Sequence, residues 1–379
     1  MTSSVSLGLV VSHNNFMFIT SKPTGNGNFG GIAGGDLFCQ TAANDAGLPG
    51  TYQALLAVSA QGDAGATNLT SRLTGAGARG WVRVDGRPFA DQASDLTTGA
   101  ILTAPEITEL GNLSSWGYAW SGAGTDGKPS TMDCAGFTSG SLANVSVGDV
   151  HAGEQTWTTS GLEVCSDTNT GLYCFGTTLN NPLDYSKTPG RMAFLSKAAF
   201  DPSKGLSGGP VDTTTGSADV LCQTEATAAG LPGTYLALLA TTVASAGSRF
   251  DTSGAPWVRP DGIPLAPTAL EFMLHGPELT TLSQHADGTY ANSDPYSSDG
   301  EMYARTGGNL IQVGSSLEQT LLKPASALGD TCNDWTAAST DSTLNTSTYA
   351  PHAAASNVFF AGEGVMSCGA FLPIYCLQK

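Results

Sequence analysis

One segment of the chain is present twice in nearly the same form. Residues 38–57 read FCQTAANDAGLPGTYQALLA, and residues 221–240 read LCQTEATAAGLPGTYLALLA. The two copies lie much further apart than the roughly 20–50 residues that separate the repeats of a solenoid. Half of a 379-residue chain is also long enough to bury a core of its own. The repeat therefore predicts two tandem domains of one ancestry.

The boundary between the domains is predicted in the segment TTLNNPLDYSKTPG, residues 177–190. Its proline, asparagine and glycine residues are typical of a short linker. We place domain 1 at residues 1–178, the linker at 179–189 and domain 2 at 190–379. Residues 1–12 form an N-terminal extension of domain 1.

Each half carries four cysteines. They are Cys39, Cys134, Cys165 and Cys174 in the first half, and Cys222, Cys332, Cys368 and Cys376 in the second. Neither half has a CxxC pair, and zinc-spaced histidines do not follow the last cysteines. The pattern therefore favours disulfides, which indicate an oxidising compartment and an exported protein. The opening residues do not have the form of a signal peptide.

Four cysteines allow three pairings within each half. The first cysteine falls on an early predicted helix and the last in a predicted closing strand. Pairing first with fourth and second with third would join the ends of the domain and fix one internal loop. We therefore predict the pairs Cys39–Cys174, Cys134–Cys165, Cys222–Cys376 and Cys332–Cys368.

The charge balance excludes several classes of partner. The chain has 15 Lys and Arg against 32 Asp and Glu, a formal net charge of −17. Nucleic acid and anionic membrane surfaces require clustered basic residues, and these are scattered here. No apolar run approaches the roughly 18–20 residues that span a bilayer. We expect neither nucleic-acid binding nor membrane insertion.

The two halves also share local signals of secondary structure. Residues 15–21 and 191–197 are rich in β-branched and aromatic residues, which predicts a strand in each half. A glycine-rich loop ends in Asp36, which we predict to cap the following helix. Gly47 and Gly230 stand where a left-handed residue would end that helix.

The order of these signals resembles the endostatin domain at the end of certain collagens, and its bacterial relatives. The first half matches at Asp36, Cys39, Ala46 to Tyr52, Trp120, Gly122, Asp126, Gly127, Cys134, Phe137, Thr138, Cys165 and Cys174. The second half matches at Asp219, Cys222, Ala229 to Tyr235, Cys332, Trp335, Thr336, Cys368 and Cys376. The resemblance implies an α+β, C-type-lectin-like fold with short helices around curved antiparallel sheets.

Some properties of that family are not expected here. The second half lacks the Trp-x-Gly hairpin in its middle. An arginine-rich face for heparin is missing, and His13 is the only histidine near the N-terminus that could replace the family's zinc ligands. The tripeptide motifs of calcium-dependent lectins are also missing, so calcium-dependent sugar binding is not predicted.

Three patterns suggest chemistry. GLSGGPV, with Ser207, resembles a hydrolase nucleophile turn, but a flexible glycine loop accounts for it better because no histidine stands in a catalytic context. His151-x-x-Glu154 is a weak metal candidate. Four acidic residues form a weak candidate calcium site, and they are Asp287, Asp294, Asp299 and Glu301. We predict no catalytic activity and no required cofactor.

Aromatic residues in predicted loops are the best candidates for ligand contact, because loops carry recognition. Trp81, Trp120 and Trp257 lie in or next to predicted strands and are assigned to the core. The candidate ligand-binding residues are Trp116, Tyr118, Asp126, Tyr290, Tyr296 and Tyr303.

We expect a non-catalytic extracellular or cell-surface recognition or adhesion protein that binds a surface glycan or a protein ligand. The alternative is a structural subunit of a surface fibre or filament. In that case Val5, Leu7 and Leu9 would add a strand to a neighbouring copy.

Overall fold

The structure is a computed structural model of the chain. It describes residues 13–60, 65–141, 143–153, 156–206, 216–291, 304–306, 309–313, 316–322, 324, 331–336, 347–350 and 364–379. In the strands between residues 309 and 320, and in 347–350 and 364–366, only the backbone is described. The candidates outside these ranges are residues 1–12, Glu154, Ser207, Asp294, Tyr296, Asp299, Glu301 and Tyr303.

The fold is mixed α+β, with short helices and short strands. The helical segments are α1 (Gly31–Asp45), α2 (Ser71–Gly75), α3 (Asp95–Thr98), α4 (Cys134–Phe137), α5 (Ala218–Ala228), α6 (Ala269–His275) and α7 (Cys332–Trp335), with 3-10 turns at Pro202–Lys204 and Gly247–Arg249. The strands before residue 180 are β1 (Asn15–Ile19), β2 (Tyr52–Ala54), β3 (Trp81–Arg83), β4 (Pro88–Ala90), β5 (Tyr118–Trp120), β6 (Asn144–Asp149), β7 (Gly161–Val164) and β8 (Gly171–Gly176). The later strands are β9 (Arg191–Leu195), β10 (Tyr235–Ala237), β11 (Trp257–Val258), β12 (Ala304–Arg305), β13 (Asn309–Val313), β14 (Ser316–Thr320), β15 (Ser347–Ala350), β16 (Gly364–Met366) and β17 (Tyr375–Gln378).

The first half builds one sheet around β8. The strand order is β4-β3-β1-β8-β5-β6-β7, and β2 also pairs with β8. β1 and β2 run antiparallel to β8, whereas β5 runs parallel to it. All six residues of β8 are buried, as expected for a strand that is covered on both faces.

The second half repeats the centre of that sheet. β17 takes the place of β8 and pairs antiparallel with β9 and β10. β11 pairs parallel with β9, as β3 pairs with β1. In the described residues the outer part differs, because a three-stranded sheet (β12-β15-β16) and a separate hairpin (β13-β14) occur in the second half.

A set of side-chain hydrogen bonds fixes each long helix to its sheet in the same way. The Asp36 carboxylate accepts the N–H of Ala54, and the Asp219 carboxylate accepts the N–H of Ala237 at 3.0 Å. Each carboxylate also pairs with an arginine, and these arginines are Arg72 and Arg249. The prediction that Asp36 caps the helix is wrong, because α1 begins at Gly31 and Asp36 lies inside it. Its carboxylate instead lies at the edge of the sheet, where it accepts the N–H of Ala54 in β2.

The predicted helix ends are confirmed. Gly47 lies two residues after the last residue of α1 and has a φ of 71°, and Gly230 stands at the same position after α5 with the same φ. The backbone N–H of Gly47 bonds to the carbonyl of Asn44, which closes the helix. Only glycine adopts this left-handed conformation without steric cost.

Four disulfides join the cysteines in the predicted nested pairs: Cys39–Cys174, Cys134–Cys165, Cys222–Cys376 and Cys332–Cys368. In each half the first cysteine lies on the long helix and the last on the central strand. The disulfide between them therefore ties the helix to β8 or to β17, and the second disulfide closes a shorter loop. Four disulfides indicate an oxidising environment.

The second cysteine of each half opens a left-handed helical turn. Segment α4 has four residues at positive φ, from 53° at Cys134 to 67° at Gly136, and α7 repeats the conformation. Such a turn costs about 1–2 kcal/mol for each residue other than glycine. In α4 the Asp133 carboxylate stabilises the turn, because it accepts the N–H of Ser59 at 2.7 Å and the N–H of Gly136 at 3.1 Å.

Hydrogen bonds join the two halves, and two of them meet at one buried backbone carbonyl. The carbonyl of Leu102 accepts hydrogen bonds from the Arg259 guanidinium at 2.8 Å and from the Thr280 hydroxyl at 2.6 Å. Arg259 is fully buried and pairs with Asp261 at 2.6 Å. The planar guanidinium of Arg259 contacts the Leu102 carbonyl and the Asp261 carboxylate at the same time, and this fixes the orientation of the contact between the halves.

The nested disulfides predict different losses of stability. Replacing Cys39 and Cys174 by serine opens a loop with a sequence separation of 135, and replacing Cys134 and Cys165 opens one of 31. The chain-entropy model gives losses of about 5 and about 4 kcal/mol in the free energy of unfolding. Urea denaturation of the two double variants measures both values. A larger loss for the shorter loop would contradict this account.

Candidate functional site: a cleft repeated in both halves

Each half has a cleft between its long helix and the turns that follow its first strand. Cleft 1 has a volume of about 450 Å³, and cleft 2 about 480 Å³. Cleft 1 is lined by Thr20, Ser21, Lys22, Phe29, Gly34, Leu37, Phe38, Thr41, Ala42, Asp45, Glu109 and Leu110. Cleft 2 is lined by Lys197, Ala198, Glu225, Ala228, Ala229, His285, Ala286 and Asp287. Both volumes lie in the range of about 300–1,000 Å³ typical of small-ligand sites.

The clefts occupy equivalent positions. Behind cleft 1 the N–H of Ile19 bonds to the carbonyl of Ile107, and behind cleft 2 the N–H of Leu195 bonds to the carbonyl of Gln284. A tight turn follows each of these carbonyls. Thr108 and His285 begin the turns, and in each turn the glycine three residues later donates its N–H back to the carbonyl of that first residue. The turns that form one wall of each cleft can therefore be matched residue by residue.

Cleft 1 is mainly apolar. Phe29 and Phe38 are half-buried in it, and Leu37 and Leu110 stand at its rim with 69% and 59% of their surface exposed. Large aliphatic side chains at this exposure favour contact with another apolar surface. The buried Glu109 carboxylate is already used, because it accepts the N–H of Ser21 at 2.8 Å and also the Ser21 hydroxyl.

Cleft 2 combines charged groups with walls of small alanine side chains. The Lys197 ammonium pairs with the Asp287 carboxylate at 3.0 Å, and both side chains are largely exposed. The Glu225 carboxylate accepts the N–H groups of Lys197 and Ala198, each at 2.8 Å. His285 Nδ1 lies 2.9 Å from the carbonyl of Leu195. The alanines that line the remaining wall leave space between these groups.

The ionisable groups of cleft 2 are shifted. Burial raises the pKa of Glu225, although the N–H groups of Ala198 and Lys197 oppose this shift. Burial lowers the pKa of His285. Hydrogen bonds from Thr289 and Lys197 lower the pKa of Asp287. At neutral pH these shifts keep His285 uncharged and Asp287 ionised.

In each half one carboxylate accepts a backbone N–H just after the first strand, but the two carboxylates come from different elements. In the first half Glu109 stands in the turn, and the helix position opposite is Ala42. In the second half the helix supplies Glu225, and the turn has Ala286. Both carboxylates accept the N–H of the second residue after the strand, which is Ser21 or Lys197. As a result, the acid of cleft 1 lies on its turn side, and the acid of cleft 2 lies on its helix side.

Three of the candidate ligand-binding residues are not among the lining residues of either cleft. Trp116 is half-buried, and its indole N–H donates to the carbonyl of Thr20 at 2.9 Å. Tyr118 begins β5 and is 42% exposed. Asp126 lies in the turn beyond β5, paired with Lys128 at 2.6 Å, and the hydrogen bond from Lys128 lowers the pKa of Asp126.

Tyr290 is engaged inside the second half. Its hydroxyl donates to Asp261 at 2.9 Å, the Arg259 guanidinium lies over its ring, and burial raises the pKa of Tyr290. Of the candidate calcium ligands, only Asp287 is among the described residues, and it belongs to cleft 2. In the described part of the chain no group of three metal-binding side chains is found.

Sequence reasoning did not identify His285 or Glu225 as site residues. The aligned repeat contains a signal for Glu225, because the glutamate replaces an alanine on an otherwise similar helix. His285 has no such signal, since the turns of the two halves share little sequence. Trp81, Trp120 and Trp257 are fully buried, as predicted for the core.

A scan against models of protein families gives no match, and a search of characterised proteins gives none either. Within the described residues no helix has the length and apolar character needed to cross a membrane.

The exchanged carboxylates predict a rescue. Glu109→Ala leaves the half-buried N–H and hydroxyl of Ser21 without their charged acceptor, which should lower the free energy of unfolding by about 1–3 kcal/mol. Adding Ala42→Glu places a carboxylate where Glu225 stands in the second half, and it should recover most of that loss. Urea denaturation of the single and double variants measures this. A double variant no more stable than Glu109→Ala would show that the positions are not equivalent.

Proposed function

We propose that this is a non-catalytic extracellular or cell-surface recognition protein, built from two C-type-lectin-like modules of the endostatin-like type. The order of motifs in each half, the nested disulfides and the α+β architecture support this assignment. The fold hosts many binding roles, so the function rests on the site rather than on the fold.

One observation carries the proposal: the same cleft is present in both halves with different chemistry. The helix, the central strand and the disulfide behind each cleft are repeated, whereas the lining is not. A repeated frame with changed walls is typical of modules that bind different ligands. Cleft 1 suits an apolar segment of a protein ligand, and cleft 2 suits a polar ligand such as a surface glycan.

A rigid frame supports such a role. Each cleft has a disulfide-tied helix on one side and hydrogen-bonded turns on the other. Binding to a preformed site loses less entropy of ordering than binding to flexible loops. The buried contact of Arg259 with Leu102 also links the two halves, so that two ligands could be held by one body.

Blocking variants test this proposal. Ala228→Phe should fill cleft 2, and Asp45→Phe should fill the same helix position of cleft 1. The full chain should bind a defined set of glycans on an array, and Ala228→Phe should abolish that binding while Asp45→Phe leaves it intact. Absence of any glycan or protein ligand, together with polymers in native mass spectrometry, would reject the proposal.

The alternative function is a structural subunit of a surface fibre, and β7 favours it. In the described residues β7 pairs only with β6, so its other edge is open. Leu162 and Val164 on this strand are 51% and 39% exposed. An open edge strand with apolar side chains invites pairing with another chain. Residues 1–12, the predicted donor strand, lie outside the described residues.

Assembly tests this alternative. Leu162→Lys with Val164→Lys should stop polymer formation, because two charges on an edge strand prevent strand pairing. Removal of residues 1–12 should have the same effect. Sedimentation velocity measures the size distribution, and Leu113→Lys on a different exposed leucine is the matched control. A wild-type protein that remains a monomer at high concentration would exclude the fibre function.

A further inference from the structure

The ring of His285 has a fixed tautomer. Its Nδ1 lies 2.9 Å from the carbonyl oxygen of Leu195, which can only accept a hydrogen bond. Nδ1 therefore carries the proton, and in the neutral ring Nε2 has a free lone pair. Among the described residues Nε2 has no protein partner, and the side chain lines cleft 2. The cleft thus contains one neutral hydrogen-bond acceptor whose orientation is set by the backbone.

The groups that face His285 keep it neutral near pH 7. Burial is the main cause of its lowered pKa, and the nearby Lys197 ammonium acts in the same direction. Asp287 in the same turn and the Leu195 carbonyl on β9 oppose the shift without reversing it. Glu225 on α5 lines the cleft as well, but its carboxylate is held by the N–H groups of Lys197 and Ala198.

The charge of the cleft selects against an anion. One ammonium, on Lys197, faces two carboxylates, on Asp287 and Glu225. The charge of the ammonium is balanced by Asp287, and Glu225 adds a second carboxylate, so an incoming anion meets a cleft with more acidic than basic groups. A neutral ligand meets no such repulsion.

The remaining surface suits a ligand with hydroxyl groups on a carbon frame. Lys197 retains N–H donors beyond the one directed at Asp287, because an ammonium has three. Asp287 and His285 supply acceptors. The methyl groups of Ala198, Ala228, Ala229 and Ala286 provide apolar contact for C–H groups. A polyhydroxylated ring satisfies all three kinds of group at once.

We propose that cleft 2 binds a short neutral saccharide, and that His285 Nε2 accepts a hydrogen bond from one of its hydroxyl groups. This inference rests on the proposed recognition function and names the ligand class of one of its two clefts. Thr108 begins the matching turn of the first half but is not among the lining residues of cleft 1, so it has no equivalent role.

The test uses the full chain and ligand-observed NMR titrations with galactose, mannose, N-acetylglucosamine and trehalose, and with N-acetylneuraminic acid as the anionic probe. At least one neutral sugar should bind. His285→Phe should weaken that binding roughly five- to tenfold, the effect of one lost hydrogen bond. His285→Gln keeps a neutral acceptor and should retain most of the affinity. Thr108→Val, the matched change in the first half, should leave the affinity unchanged.

The pH dependence separates an acceptor from a merely structural residue. Protonation removes the Nε2 lone pair, so the affinity of the wild type should fall as the pH decreases from about 7.5 to about 5. His285→Gln should remove this dependence, because its amide does not titrate. Circular dichroism of each variant over the same range establishes that the fold is intact.

Three results would overturn the inference. Sugar binding that His285→Phe leaves unchanged would place the sugar elsewhere and would leave the recognition function standing. Tighter binding of N-acetylneuraminic acid than of every neutral sugar would show that the cleft selects an anion. Failure of all five sugars to bind would also reject the saccharide, whereas the recognition function fails only if no glycan or protein ligand binds the chain at all.

Discussion

The disulfide between the long helix and the central strand is the constraint on which each half depends. Cys39 joins α1 to β8, and β8 is the strand with which β1, β2 and β5 all pair. The buried strand β8 therefore sets the positions of three neighbouring strands and of α1. The same arrangement around Cys222 and β17 gives the second half its frame. Because both anchors are covalent, the surrounding turns can change in sequence without loss of the central fold, and cleft 1 and cleft 2 are the result.

Much of this frame was predictable from the sequence. The repeated cysteines, the strand segments and the glycines at the helix ends each carry a local physical signal, and the structure confirms the nested pairs and the helix ends. The error at Asp36 has a specific cause. A carboxylate before an apolar stripe is typical of a helix cap, but here the glycine-rich segment itself forms the first turn of α1. The carboxylate then serves a strand that is distant in sequence, which no local pattern indicates.

The middle of the second half could not be predicted for a related reason. No Trp-x-Gly segment is present there. The structure instead places Arg305 in an isolated parallel bridge with Ile374, just before β17, at the position where Trp120 pairs with Leu172 of β8. Arg305 is fully buried, and burial lowers its pKa to about 10. Its guanidinium donates to the carbonyls of Ser367 and Ala370, which the sequence does not bring near it. The cleft residues were missed in the same way, because Glu225 and His285 acquire their environment only when the helix and the turn come together.

The exchange of Glu109 for Glu225 records a step in the history of the chain. The repeated segment indicates common descent of the two halves, and on that descent at least one of them has moved its acid from one wall to the other. A module with neither acid would leave the N–H group of the second residue after the strand without its side-chain acceptor, which weakens the turn. A module with both acids would keep that group satisfied while protonation relieves their repulsion. The less costly evolutionary route therefore gained the second acid before it lost the first, and each half could then specialise from a shared ancestor that carried both.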